Sequence, residues 1–174
     1  AVLVVLSQVS PGFMRNLKLS RRSVYYQVET LIFGQAMHRA LHPERYIVGS
    51  AVPQEPMPVP YRRFLDAHDC PVLIMRYESA ELAKISINCC LVASVGVANT
   101  LADLCERIGA DWSEIVPALR LDRRIGEHAY INAGLGIAGG NLERDLATVC
   151  RLGDEHAVEQ ENLDSSMITL LAEA

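Results

Sequence analysis

Three short apolar runs and one very long one organise the chain. The first, "AVLVVLSQVSPG", is continuous, Val-rich and closed by Ser, Pro and Gly, the pattern of a strand covered on both faces in a parallel sheet. A basic loop, "RNLKLSRR", follows, and then "VETLIFGQAMHRALH" with weak helical periodicity. "RYIVGSA" and "PVLIMRY" read as two further strands, separated by the Pro-rich "VPQEPMPVPYRRFLDAHD", which ends in a short helix. Strands and helices in alternation predict the edge of an α/β domain.

From Glu78 the texture changes. "ESAELAKISINCCLVASVGVANTLADLCERIGAD" runs without Pro, is small and apolar on several faces, and closes on Gly109, which predicts a long buried helix with a glycine C-cap. "DWSEIVPAL" opens on an Asp or Ser cap and predicts a short second helix. "RLDRRIGEHAYINAGLGIAGG" reads as loop, "NLERDLATVCRLGDEHAV" as a third helix, and the tail "ENLDSSMITLLAEA" as helix again. Residues 1–77 therefore read as α/β structure and residues 78–174 as a helical module. A chain that opens directly on a strand pattern, with no initiator Met, reads as cut from a longer protein.

Charge and composition narrow the chemistry. A formal charge of -5 with scattered Lys and Arg gives no basic stripe for a phosphate backbone, so nucleic acid is excluded as a partner. The basic loop has no interleaved aromatic residues and reads as solvated. Five cysteines, at 70, 89, 90, 105 and 150, form no C-x-x-C pair and have no nearby His at metal-ligand spacing. They suit reduced thiols in the cytoplasm, with Cys89 and Cys90 as small apolar side chains. The sequence reading finds no stretch approaching the roughly 20 apolar residues of a membrane span, and "AVLVVL" lacks the flanks of a signal peptide.

Candidate chemistry begins at "GLGIAGGNLERDLATV". Gly134, Gly136 and Gly139 satisfy G-x-G-x-x-G ahead of a helix, which is one way to cradle a dinucleotide phosphate. The context is wrong for it, because "HAYIN" is too short and polar for the buried strand that should precede. Lys84 and Asn88 lie four apart on the long helix and so project from one face, with Glu81 one turn before Lys84. They read either as a pair stabilising an oxyanion and holding a water, or as an ordinary polar pair on a partly exposed face. Asp145 follows Asn141 by four residues and reads as acid, base or loop anchor. The five histidines have no partner arrangement, and Trp112 reads as a packing anchor.

Taken in order, these segments resemble the UDP-glucose/GDP-mannose dehydrogenase family over nearly the whole chain. "VVLSQVSPG" is similar to that family's strand ending in S-T-x-P-x-G, and "VETLIFGQAMHRALHPERYIVG" to its N-P-E-F-L-x-E-G segment, N-P-x-R and following strand. The long helix resembles the family's central helix with K-x-x-x-N, "LDRRIG" its D-x-R-I-G, and "GLGIAGGNLERDL" its G-x-G-Y-G-G-S-C-F-x-K-D. The resemblance implies the edge of a Rossmann-type domain followed by a long central helix and an all-α dimerisation domain, with homodimers formed around that helix. It implies NAD as cofactor and a nucleotide sugar as substrate, oxidised at its C6 alcohol through a thioester on a cysteine. By the match, Lys84 and Asn88 would stabilise the oxyanion and place water, Glu29 would be acid or base, and Asp145 would activate water. Arg124, Gly136, Gly139 and Gly140 would meet substrate, Arg124 across the dimer, and Gln8, Pro11 and Gly12 would meet the cofactor.

The departures are equally specific. Asn141 stands where the family has its nucleophilic Cys, Gly140 where it has Ser, Gln8 where it has Thr, and Phe33 where it has the second Glu of E-F-L-x-E. No amide forms a thioester, so the expectation is a branch without four-electron oxidation. The alternative is a dimerisation and interaction module with no catalysis of its own.

Overall fold

The computed structural model describes residues 1–20, 23–32, 34–134 and 140–157. The chain divides into two compact units, Ala1–Lys84 and Ile85–Ala174. The first contains four strands: β1 (Leu3–Val5), β2 (Val24–Gln27), β3 (Tyr46–Ser50) and β4 (Val72–Arg76). They form one sheet in the order β1-β2-β3-β4. β1 and β2 are parallel, β2 and β3 antiparallel with Tyr26 opposite Gly49, and β3 and β4 parallel.

The sheet is thus mixed, where the first apolar run alone suggested a parallel one. β1 is also less covered than its composition predicts, with Leu3 47% exposed at the sheet edge. β2 and β3 are the strands buried along their whole lengths. β2 had no counterpart in the hydropathy pattern, because "VYYQ" is a four-residue run against a basic loop and has no alternation to read. The helix expected from Val28 shrinks to α2 (Ala36–Leu41), because Gly34 at φ 81° interrupts the run.

Short helices complete this unit. α1 (Phe13–Asn16) starts after Gly12, whose φ of 90° turns the chain out of β1. α3 (Val59–Asp66) starts with Pro in its first turn and sends Tyr61 and Leu65, four apart, into the core. There they pack with Tyr25, Tyr46 and Val48, against partly buried Val4, Met57, Cys70 and Val72. The Tyr25 and Tyr61 rings lie 5.2 Å apart. Burial first, with the neighbouring Tyr25 and Tyr46 adding to it, pushes the Tyr61 hydroxyl well above the ordinary phenol range, and that hydroxyl donates to Gln27 Oε1 at 2.9 Å.

α4 (Tyr77–Ile108) is one helix of 32 residues, about 48 Å long at 1.5 Å per residue. Its first turn belongs to the sheet: Tyr77 donates its hydroxyl to Val24 O at 2.7 Å, and a Cβ at Gly49 would lie 3.0 Å from that of Ala80. β3 therefore needs Gly at 49 for α4 to approach. The helix ends as the sequence predicts, with Gly109 at φ 77° and the Ala110 amide returning to Cys105 O at 2.9 Å.

In the second unit, α5 (Trp112–Leu121) is capped by Asp111, whose carboxylate accepts from the Ser113 amide at 2.7 Å. The expected anchoring by Trp112 takes the form of a bond from its indole to Ile131 O at 3.1 Å. Arg120 donates to Asn132 Oδ1 at 2.9 Å, and the Gly134 amide to Asn99 Oδ1 at 3.0 Å, so the connecting loop is tied to α5 and α4. α6 (Gly140–Ala157) is the third helix. The helix expected over "ENLDSSMITLLAEA" lies outside the described residues.

α4 is not the buried helix its composition predicts. Val92 and Ala98 are covered, but Val97, Leu101, Leu104 and Ile108 are 57%, 38%, 46% and 68% exposed. At spacings of four, three and four these make one stripe. By length and composition the helix is also apolar enough to cross a membrane, which corrects the reading that no stretch was. It also carries the buried polar side chains Glu81 and Asn88, which are costly in a membrane-spanning helix.

Candidate functional site

A carboxylate in an apolar helix must find partners or lose its charge. Glu81, fully buried between Ala80 and Leu82, finds backbone: it accepts from the Gly12 amide at 2.7 Å and the Met14 amide at 2.8 Å. These are donors at the start of α1 that the helix itself leaves unused. Arg15, one residue on, gives Glu78 two hydrogen bonds, 2.7 Å from Nε and 3.0 Å from Nη2. The loop that carries Gln8, Pro11 and Gly12 is therefore fastened to α4 through its backbone. Sequence reasoning placed Glu81 beside Lys84 without giving it a role, although an acidic residue flanked by apolar ones in a long apolar helix is itself the signal.

In the second unit, Asn88 and Asp145, proposed separately from the sequence, are partners. Asn88 Nδ2 donates to Asp145 Oδ2 at 2.6 Å, and the two residues are 7% and 3% exposed. A charge-assisted bond of this kind inside protein is short, oriented and strong. It fixes the Asn88 amide and leaves its carbonyl as the acceptor. Next to it, burial raises the Cys89 thiol above its ordinary range, with the Asp145 charge adding to the effect. The shift favours the neutral thiol over the thiolate at Cys89.

The remaining expected site residues are spread over both units. Asn141 is exposed in the first turn of α6, just after Gly140, and its Oδ1 accepts from Arg144 at 3.0 Å. Glu29 is exposed just beyond β2 and its carboxylate accepts from the Thr30 amide at 2.8 Å. Arg124 projects into solvent and pairs with Asp122 at 2.6 Å, which holds the Asp122 carboxyl below the ordinary range. Lys84 is half-buried on α4 and is the last residue of the first unit. Gly136, Gly139 and Phe33 lie outside the described residues.

The amides of Gly12 and Met14, the donors an anionic oxygen would use, are already taken by Glu81. No strand leads into Gly134 among the described residues, so the phosphate-cradle reading of the glycines lacks its strand. No cluster of three metal-ligating side chains occurs among them either.

A mixed sheet feeding a long helix, with further helices, is a fold this chain shares with solved nucleotide-sugar dehydrogenases. The chain belongs to the UDP-glucose/GDP-mannose dehydrogenase family, whose central domain is matched by residues 78–169. It is 32% identical over 159 residues to a UDP-glucose 6-dehydrogenase of Pseudomonas aeruginosa, an alignment covering 90% of this chain and 34% of that enzyme. A UDP-glucose dehydrogenase from Pyrobaculum islandicum superposes with a TM-score of 0.79 at 28% identity, covering 99% of this chain and 40% of the other. The fold is shared as well with a GDP-mannose dehydrogenase from Pseudomonas aeruginosa, at a TM-score of 0.65 and 20% identity, covering 99% and 41% of the two chains. The chain spans about a third of the length of the curated relatives it matches.

Proposed function

We propose that the chain is part of a nucleotide-sugar 6-dehydrogenase-like oxidoreductase, acting on the C6 alcohol of a UDP- or GDP-sugar, in which oxidation through a thioester does not occur. The observation that carries this reading is the pairing of Asn88 with Asp145 at 2.6 Å in a chain whose nucleophile position is Asn141. The parts that orient an oxygen are kept, and the sulfur is absent. An amide nitrogen shares its lone pair with the carbonyl and neither adds to an aldehyde as a thiolate does nor leaves again. The oriented Asn88 carbonyl would hold water or a sugar hydroxyl, and the Lys84 ammonium would answer developing negative charge on oxygen. NAD would be held by residues other than those described, in the cytoplasm. The test is stoichiometry: with UDP-glucose or GDP-mannose and NAD, the expected yield of sugar acid is nil. Two NADH per sugar, with acid as product, would overturn the reading.

The exposed stripe of α4 favours a second reading, a homodimer or interaction module without catalysis. Val97, Leu101, Leu104 and Ile108 give a face that a second copy of α4 would cover. Sedimentation equilibrium checks it: a dimer that Leu104→Glu converts to monomer, with no rise in melting temperature on adding NAD or a nucleotide sugar, supports this reading over the first.

A further inference from the structure

The antiparallel step between β2 and β3 gives the sheet two unlike ends. β1 and β2 run together, and their carboxyl ends lead to Gln8 and Glu29. β3 runs the other way, so its last residue, Ser50, lies by the amino end of β2, at Tyr25. At that opposite end an open cleft of about 560 Å³ is lined by Arg15, Tyr25, Ser50, Val52, Glu55 and Pro56, with Ala51 and Pro58. No role proposed above uses it.

Its polar groups are unevenly satisfied. Arg15 is committed to Glu78 by its two hydrogen bonds, so its charge is answered. Ser50, 8% exposed, accepts one bond from the Val52 amide at 3.3 Å and keeps a second lone pair. The Tyr25 side chain is 5% exposed, packed on the Tyr61 ring, and its hydroxyl makes no hydrogen bond among the described residues. Glu55 has neither an ion pair nor a side-chain hydrogen bond among them, and its charge reaches Tyr25, whose hydroxyl is shifted up by burial first and by Glu55 second. The unbalanced charge of the cleft is therefore the Glu55 carboxylate, beside two hydroxyl oxygens able to accept. Val52, Pro56 and Pro58 supply an apolar wall, in a loop that its prolines stiffen.

Three acceptors around one uncompensated negative charge match the three N–H donors and single charge of a primary ammonium. We propose that this cleft binds a small primary ammonium on a short apolar body, with the ammonium on Glu55, Tyr25 and Ser50 and the body against Val52, Pro56 and Pro58. The proposal stands apart from the dehydrogenase reading, since the cleft lies at the other end of the sheet from Gln8 and Glu29.

Titration of the ¹⁵N-labelled full chain with n-butylammonium chloride tests it. Saturable amide shifts are expected at Tyr25, Ser50, Val52 and Glu55, with no such shifts from sodium butyrate and weaker binding of tetramethylammonium, which has no N–H. Glu55→Gln is expected to weaken binding about fivefold, the scale of one exposed charge contact. Tyr25→Phe, which keeps the ring on Tyr61, is expected to weaken it less. Glu55 is at the surface, so its variant folds and the comparison stands. Shifts that do not saturate, equal binding by Glu55→Gln, or equal binding of tetramethylammonium would each overturn the proposal.

Discussion

Glu81 and Asp145 are both buried carboxylates, yet they are satisfied in different currencies. Glu81 is met by two backbone amides, which a substitution at Gly12 or Met14 deletes only if it introduces Pro. Asp145 is met by a side chain, Asn88, and that bond can be altered by one codon. The first arrangement serves architecture, because it commits the carboxylate to holding a loop. The second leaves an oriented amide carbonyl, the feature on which the proposed function rests. Burial alone does not tell the two carboxylates apart, whereas the identity of the partner does.

The largest expected effect is at Glu81. Glu81→Ala strands two buried amides and deletes two charge-assisted bonds, and urea unfolding is expected to show a loss of about 3 kcal/mol. A loss below that of Asn88→Ala would invert the contrast. Gly49→Ala, which drives a methyl into Ala80, Tyr26 and the Tyr77 backbone at 3.0 to 3.3 Å, is expected to cost about 1–3 kcal/mol by the same measurement. At Asn88 the expected loss for Asn88→Ala is about 2 kcal/mol. A double-mutant cycle with Asp145→Ala should return a coupling of about 1 kcal/mol or more, and zero coupling would remove the pair from the site.

The smallest effect concerns pH. The Arg15 hydrogen bond holds the Glu78 carboxyl below its ordinary value. A group lowered on folding contributes stability that is present above the unfolded pKa and is lost as pH falls through the folded one. Both side chains are more than a third exposed, so solvent screening limits the contribution to about 0.5 kcal/mol. Melting curves of Glu78→Gln and the parent should thus differ at neutral pH and converge in acid below the ordinary carboxylate range. A gap that persists there would mean that packing rather than charge holds Arg15.

The same contrast explains what was legible in the sequence. α4, its Gly109 stop and the Asp111 cap are written locally, in composition and in single residues with one conformational reason to be there. Asn88 and Asp145 were recognisable by residue type, and the structure supplied their pairing. β2 was hidden because a fully buried four-residue strand has no alternation and is made only by its neighbours. The role of Glu81 was hidden because its partners are backbone groups, which look alike in every sequence. The exposed stripe of α4 was misread for a related reason: apolar residues announce that something covers them without saying that it belongs to the same unit.

The fastening of Gly12 and Met14 by Glu81 also sets a clock. Glu81 follows these amides by 69 and 67 residues, and at about 5–20 residues per second a ribosome takes roughly 3–14 seconds to make that stretch. Through that interval the turn after β1 exists without its clasp, and its amides can be held only by water. The turn after β1 thus closes only when the helix made last in that unit has been synthesised.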